Sequence, residues 1–118
     1  MDTTRQLDEY FRGKRRKFNL PLKLDNYTPF QRKVWQALSQ IPFAHTMNYS
    51  DLATIINRPG AFRALGNACG KNPYPIIIPC HRVIKKDGSL GGFSAGIGIK
   101  LKLLEFEQRV TKRKKIHE

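Results

Sequence analysis

The chain has 118 residues, of which 40% are hydrophobic and 26% charged, a composition that is typical of one globular domain and excludes a disordered protein. Its 22 Lys and Arg residues against 9 Asp and Glu residues give a net charge of +13, which favours a polyanionic partner. A nucleic acid is favoured over a membrane surface because no amphipathic anchor is found, while a basic tail or a solubilising surface is the alternative explanation.

No stretch reaches the ~18 apolar residues of a membrane span, and the first residues lack the apolar core of a signal peptide, so an intracellular, cytoplasmic protein is expected. In such a reducing compartment Cys69 and Cys80 are predicted to be free thiols. No paired Cys or His spacing accompanies them, so the sequence predicts neither a metal site nor a cofactor.

Residues 1–27 predict a short helix around Leu7 to Phe11, then a basic run and an extended linker. A compact domain is predicted to open with a helix at Thr28, because Pro29 suits the first helical position and Gln31 completes a capping box. Apolar residues then recur at helical spacing and predict the first part of the core: Phe30, Val34, Trp35, Leu38 and Ile41.

Two short helices joined by the turn Arg58-Pro59-Gly60 predict a helix-turn-helix. The first begins at Ser50 or Asp51, and the second runs from Ala61 to Cys69. The second carries mostly small residues and one charged side chain, Arg63, so it can approach DNA closely but read few base edges. The outline alone is weak support for DNA binding, because many helical hairpins share it.

The segment after Val83 carries an Asp87-Gly88 turn signal between short strand-like stretches, which predicts a β-hairpin that could form a wing or an active-site loop. The predicted fold is therefore mainly α with a short β-hairpin, built around a winged-helix-like helix-turn-helix.

The last predicted helix carries a carboxylate on its apolar face. At about 100° per residue, Ile99, Leu103, Phe106 and Val110 share one face, and Glu107 falls among them while Glu105 points away. A buried carboxylate is costly unless it is paired, so Glu107 is predicted to have a partner.

Cys80 is followed by His81, and a nucleophilic thiol needs such a base or a cation to form thiolate. Adjacent side chains often point apart, however, and a free cysteine is commonly an inert part of a core. Composition and spacing leave both interpretations of Cys80 open, whereas Cys69, on a helix of small residues, is predicted to be inert.

A resemblance favours the nucleophile. The stretch Pro79-Cys80-His81-Arg82-Val83, preceded by Asn72-Pro73 and followed by Gly92-Phe93-Ser94 and Leu103-Leu104-Glu105-Phe106-Glu107, resembles the O6-alkylguanine-DNA alkyltransferase family. The match runs from about Thr28 to Val110. It implies a DNA-repair enzyme that moves a methyl or other alkyl group from O6-alkylguanine, and in some cases O4-alkylthymine, to its own cysteine once, after flipping the nucleotide.

The resemblance also implies a role for each matching residue. Cys80 would accept the alkyl group, His81 would act on it through a water, Glu107 would orient His81, and Asn72 would tie the helix-turn-helix to this turn. Tyr49 and Ser94 would donate hydrogen bonds to the extruded base, and the carbonyls of Cys80 and Val83 would accept from it. Arg63 would fill the gap in the duplex. The surface expected to lie against DNA comprises Ala61, Arg63, Ala64, Gly66 and Lys71.

The implied organisation is an N-terminal helix and linker over 1–27, a remnant of the family's N-terminal domain, then an alkyltransferase domain over 28–110 and a basic tail over 111–118. The implied partner is double-stranded DNA containing O6-alkylguanine, bound by a monomer. Two alternatives remain: a non-enzymatic protein that binds lesions, and an unrelated Cys-His hydrolase. The first would not need Cys80, and the second lacks an evident oxyanion loop.

Overall fold

The computed structural model of the chain describes residues 2–88 and 96–117. Within them the chain forms five α-helices, one 3-10 turn and two very short strands. In chain order these are α1 (Asp2–Phe11), α2 (Pro29–Leu38), β1 (Met47–Asn48), α3 (Tyr49–Ile55), α4 (Phe62–Gly70), the turn Cys80–Arg82, β2 (Val83–Ile84) and α5 (Ile97–His117). No helix in the described ranges is long and apolar enough to cross a membrane.

The start of α2 confirms the predicted capping box. The Thr28 hydroxyl accepts the Gln31 N–H at 3.1 Å, and the Gln31 side chain accepts the Thr28 N–H at 3.0 Å. The helix buries Val34, Trp35 and Leu38 completely, and the Trp35 indole N–H donates to the Ala68 carbonyl at 2.9 Å. The cap therefore satisfies N–H groups at the start of the helix that carries the largest core side chain.

Helices α3 and α4 form the predicted helix-turn-helix. They pack against each other and against α2, and the turn between them uses positive φ values at Asn57 (60°) and Gly60 (83°). A glycine suits the second of these because a side chain is disfavoured at φ near +83°. The main core lies among the three helices and includes Leu52, Ala53, Ile56, Leu65 and Ala68.

The short sheet differs from the expected hairpin. Strands β1 and β2 pair in parallel, Met47 with Val83 and Asn48 with Ile84. A turn does lie at Lys85–Gly88, where the Gly88 N–H donates to the Lys85 carbonyl at 2.9 Å, but the expected second arm falls on residues 89–95, outside the described residues. The strand after the Cys80–Arg82 turn thus pairs with the residues that lead into α3. Val83 is buried in the main core and Met47 packs against the same core, so the two strands lie side by side there.

Residues 2–27 are part of the folded body, since α1 packs against α5. Tyr10 of α1 shares a second buried cluster with Phe43, Leu103 and Val110. At Gly13, where φ is +74°, an added methyl group would lie 3.3 Å from the Val110 side chain, so only glycine suits this close crossing.

The buried face of α5 confirms that Glu107 is buried and shows that the prediction of a buried Ile99 is wrong. Ile99 is 49% exposed, whereas Lys100, Leu103, Glu107 and Val110, spaced three, four and three residues apart, are buried. The face that meets the Cys80–Arg82 turn is centred on these positions, and its neighbours there are polar, so it buries two charged side chains in place of the isoleucine.

The capping box gives a stability prediction. Thr28→Ala should lower the free energy of unfolding by about 1 kcal/mol, because an orphan N–H of α2 loses its acceptor. Thr4→Ala, which removes an exposed hydroxyl within α1, should change it little. Urea unfolding of the three proteins measures the difference, and equal stability of the two variants would contradict the capping role.

Candidate active site

Three consecutive buried side chains form the centre of the site. Cys80 is 2% exposed, His81 0% and Arg82 5%. The turn that carries them is closed by the Cys80 N–H on the Ile78 carbonyl at 2.8 Å and by the Arg82 N–H on the Pro79 carbonyl at 3.0 Å. Because the 3-10 turn advances about a third of a revolution per residue, the three side chains leave the backbone in different directions.

The Cys80 thiol is held by a residue from the end of the helix-turn-helix. The Asn72 side-chain nitrogen donates to the Ile78 carbonyl at 2.8 Å and lies 3.2 Å from Cys80 Sγ. Burial raises the pKa of the Cys80 thiol, and the hydrogen bond from Asn72 and the charge of Lys100 oppose that rise. The thiol thus depends on a base to become thiolate at neutral pH.

Glu107 is the most heavily bonded side chain of the site. Its carboxylate accepts from five donors among the described residues: the Tyr10 hydroxyl at 2.6 Å, His81 Nε2 at 2.8 Å, Arg82 Nη2 at 2.9 Å, Arg82 Nε at 3.0 Å and the Ala44 N–H at 3.0 Å. Burial raises the pKa of Glu107, but the hydrogen bonds and charges of His81 and Arg82 outweigh it and lower the pKa to about 2.

The ionised state of Glu107 fixes the tautomer of His81. A carboxylate can only accept, so Nε2 of His81 carries the proton of the 2.8 Å bond. Burial lowers the pKa of His81 against the raising effect of Glu107, which keeps the imidazole neutral at pH 7. Its Nδ1 is then an unprotonated acceptor, and no atom of the described residues hydrogen-bonds it.

Tyr49 and Cys69 complete the group of titratable side chains around Cys80. Burial raises the pKa of Tyr49 to about 12, with a contribution from the two thiols, so its hydroxyl stays protonated and can donate. Burial likewise raises the pKa of Cys69 to about 12, which leaves that thiol unreactive at neutral pH.

The predicted DNA-facing residues lie on an open surface of α4. Arg63, Ala64, Gly66 and Lys71 are exposed and Ala61 is partly exposed. A methyl group added at Gly66 or Gly70 would meet no atom within 4 Å, so the small residues face open space.

The structure brings Asn72, Cys80, His81 and Glu107 together and buries Val83 beside them in β2. Ser94 lies outside the described residues. No three His, Cys, Asp or Glu side chains in the described part of the chain lie close enough to hold a metal ion.

Three buried site residues were not found from the sequence: Tyr10, Arg82 and Lys100. Arg82 stands within the quoted PCHRV stretch, and the presence of a carboxylate in need of a partner was a signal for it. Lys100 shares the face of Glu107, seven residues away, and a closer reading of the helix phase could have found it. Tyr10 gave no local signal because 97 residues separate it from Glu107.

Two family models match the chain. The DNA-binding domain of 6-O-methylguanine DNA methyltransferase matches residues 29–109, and the ribonuclease-like domain of the same proteins matches residues 1–34. A protein of Acanthamoeba polyphaga mimivirus named "Probable methylated-DNA--protein-cysteine methyltransferase" is 51% identical over 89% of this chain and 70% of its own length. The methylated-DNA--protein-cysteine methyltransferase of Methanosarcina barkeri is 47% identical over 91% and 67%.

Solved structures agree with the sequences. The crystal structure of Mycobacterium tuberculosis OGT in complex with DNA superposes with a TM-score of 0.87 at 46% identity, over 91% of this chain and 66% of that one. The chain thus spans about two thirds of the length of the relatives that it matches.

The chain belongs to the 6-O-methylguanine DNA methyltransferase family. The family predicted from the PCHRV stretch and the mainly helical, helix-turn-helix fold are confirmed.

The low pKa of Glu107 predicts how its removal changes stability. Glu107→Gln should lower the free energy of unfolding at pH 7 by about 3 kcal/mol, because Arg82 loses its buried counter-charge. The folded-state pKa of about 2 lies below the usual 4.5, so the stabilisation is complete above about pH 5 and is lost as the pH falls toward 2. The difference in free energy of unfolding between Glu107→Gln and the unsubstituted protein should therefore narrow as the pH falls from about 5 toward 2.

Glu105→Gln is the matched control, since Glu105 is exposed on the same helix. In denaturant unfolding from pH 7 to pH 2.5, the free energy of unfolding of Glu105→Gln should stay close to that of the unsubstituted protein. A difference for Glu107→Gln that stays constant with pH would contradict the ionised carboxylate.

Proposed function

We propose that the chain repairs alkylated DNA by transferring a methyl or other alkyl group from O6 of guanine, and in some cases O4 of thymine, to Cys80, once per molecule. The observation that carries the proposal is the geometry around the thiol: Asn72 contacts Sγ, while the adjacent His81 is neutral and bonded to the ionised Glu107. The new S–C bond forms as the O6–C bond breaks, and the bonding electrons leave with the guanine.

His81 supplies the base. Its Nδ1 is buried, has an unprotonated lone pair and belongs to the residue next to Cys80, and in this proposal it takes the thiol proton through one water. Glu107 holds the ring in the orientation and tautomer that this transfer needs, and it stabilises the imidazolium that results. Asn72 orients Sγ and favours its thiolate form.

The departing guanine needs proton donors, because an unneutralised guanine anion is a poor leaving group. We propose Tyr49 as one proton donor, because burial raises the pKa of its hydroxyl to about 12 and the hydroxyl therefore stays protonated at neutral pH. Ser94 is proposed as a second donor, and the carbonyls of Cys80 and Val83 as acceptors for the exocyclic amino group. These contacts would recognise a guanine edge and leave the alkyl group facing Sγ.

Double-stranded DNA is the proposed partner. A base inside a duplex cannot present O6 to a buried thiol, so the nucleotide must leave the stack at a cost of a few kcal/mol. Arg63, exposed on α4, would fill the gap, while Ala61, Ala64 and Gly66 allow close approach and Lys71 contacts phosphate. The net charge of +13 supports binding to phosphates of any sequence.

A lesion-binding protein without transfer is the other candidate from the sequence, and the presence of Cys80 in a site equipped with a base disfavours it. We also propose that 28–110 is the alkyltransferase domain, preceded by an N-terminal helix and basic linker over 1–27 and followed by a basic tail over 111–118. A monomer within the cell remains the expectation.

The transfer itself can be read from the mass of the protein. Incubation with a duplex oligonucleotide carrying O6-methylguanine should add the mass of one methyl group per molecule. Cys69→Ser should still gain it, because the other thiol reacts, and Cys80→Ser should gain nothing. An unchanged mass for the unsubstituted protein, with the lesion intact, would favour the lesion-binding protein.

Arg63 can be assigned to flipping by comparing two substrates. Arg63→Ala should slow repair of duplex O6-methylguanine by roughly tenfold or more, because the emptied stack is no longer filled, and leave the reaction with free O6-benzylguanine nearly unchanged. Arg58→Ala, which removes another exposed arginine before α4, controls for the lost charge. An Arg63 variant that reacts slowly with both substrates would rule out a role restricted to flipping.

A further inference from the structure

Tyr10 connects the N-terminal helix to the candidate active site. Its side chain is fully buried, and its hydroxyl donates to Glu107 Oε2 at 2.6 Å. Four phenylalanine rings contact it, with centroids 5.0 to 6.0 Å from its own: Phe11, Phe18, Phe43 and Phe106. The ring is thereby fixed so that its hydroxyl points at one oxygen of the carboxylate.

That same oxygen also accepts from His81 Nε2 at 2.8 Å and from Arg82 Nη2 at 2.9 Å. Each donor withdraws negative charge from the oxygen, so each weakens the attraction that the carboxylate offers to the others. Burial and the charge of Glu107 raise the pKa of Tyr10 far above neutrality, so its hydroxyl donates at every pH at which the protein works.

The charged and titratable groups around Glu107 and His81 come from three elements: α1, the Cys80–Arg82 turn and α5. Tyr10 approaches Glu107 from α1, and Arg82 and His81 approach it from the Cys80–Arg82 turn. Burial lowers the pKa of His81, and Glu107 raises it. The positive charges of Arg82 and Lys100, the last from α5, lower it further. Glu107 is the only group of this set that favours imidazolium, so a weaker bond from Glu107 lowers the pKa of His81 further and a stronger one raises it.

We propose that Tyr10 is a positioning residue for alkyl transfer, which acts through Glu107 by drawing charge from Oε2 and so keeping His81 neutral and able to accept the Cys80 proton. The inference rests on the proposed function of His81. It gives α1 a role in the reaction. This helix does not contact the thiol in the described structure, but it supplies a hydrogen bond to Glu107, the carboxylate that holds His81.

Tyr10→Phe tests this, because it keeps the ring and its aromatic contacts and removes only the hydroxyl. Glu107 should then bind His81 more strongly, and the ring should stay protonated to higher pH. The rate of benzyl transfer from free O6-benzylguanine, measured from pH 5 to 9, should show its acid midpoint shifted upward by ~0.5 to 1 pH unit. The rate on the plateau above the midpoint should not fall.

Tyr74→Phe is the matched control. Its hydroxyl contacts the backbone of Lys23 at 3.3 to 3.4 Å, so this variant also removes one hydroxyl that joins the N-terminal segment to the domain. It should leave the midpoint unchanged. A Tyr10→Phe protein that is slower by the same factor at every pH, with its midpoint unmoved, would show that the hydroxyl has only a structural role and would overturn the proposal.

A second readout does not require activity. Titration of the His81 ring followed by nitrogen-edited NMR should show the same upward shift in Tyr10→Phe, and 3-fluorotyrosine at position 10, a more acidic phenol and stronger donor, should shift it downward. Equal His81 midpoints in the three proteins would overturn the proposal. If the ring shifts as expected but no protein transfers the benzyl group, the proposed function fails while the link between Tyr10 and His81 stands.

Discussion

The buried negative charge of Glu107 constrains the rest of the structure. A carboxylate with no exposed surface is tolerated only where its oxygens are fully bonded, and the five donors come from α1, from the loop before β1 and from the Cys80–Arg82 turn. These parts must therefore meet on one face of α5. The arrangement that satisfies the charge is also the one that holds His81 in a single orientation.

A second link joins the helix-turn-helix to the same turn. Asn72 lies two residues after the end of α4 and contacts both the Ile78 carbonyl and Cys80 Sγ. The strand β1, which leads into α3, pairs with β2 just after Arg82. The helix pair is thus tied to the turn at two points, one at each of its ends. The exposed face of α4, where a ligand could bind, is therefore connected to the thiol through Asn72.

Local chemistry made part of this architecture predictable. The capping box at Thr28 and Gln31 involves residues three apart, and the glycine turn before α4 reflects a backbone preference of single residues, so both could be read from the sequence. The burial of Glu107 followed from helix periodicity alone. The turn at Asp87-Gly88 was also real, with Gly88 at φ of +90°, although the preceding strand has a different partner from the one expected.

The remainder depended on tertiary contacts that no local pattern records. Ile99 was expected inside because it is apolar, but the neighbours of that helix face are polar and Lys100 takes the buried position. The direction of Arg82 within a tight turn cannot be read from its place in a motif. The contact of Tyr10 with Glu107 required the folded chain, since only the crossing of α1 over α5 brings them together.

The separation of those two residues also has a consequence for the order of folding. The helix-turn-helix closes through contacts between neighbouring segments, which form early because little chain entropy is lost in bringing them together. The contact between Tyr10 and Glu107 spans 97 residues and closes a loop that contains every other described element between α1 and α5. During synthesis, a nascent chain can carry a folded helix pair and a thiol before the carboxylate has left the ribosome. The base beside Cys80 acquires its carboxylate partner only when α5 packs against the Cys80–Arg82 turn, and the hydrogen bond from Tyr10 is added when α1 meets α5.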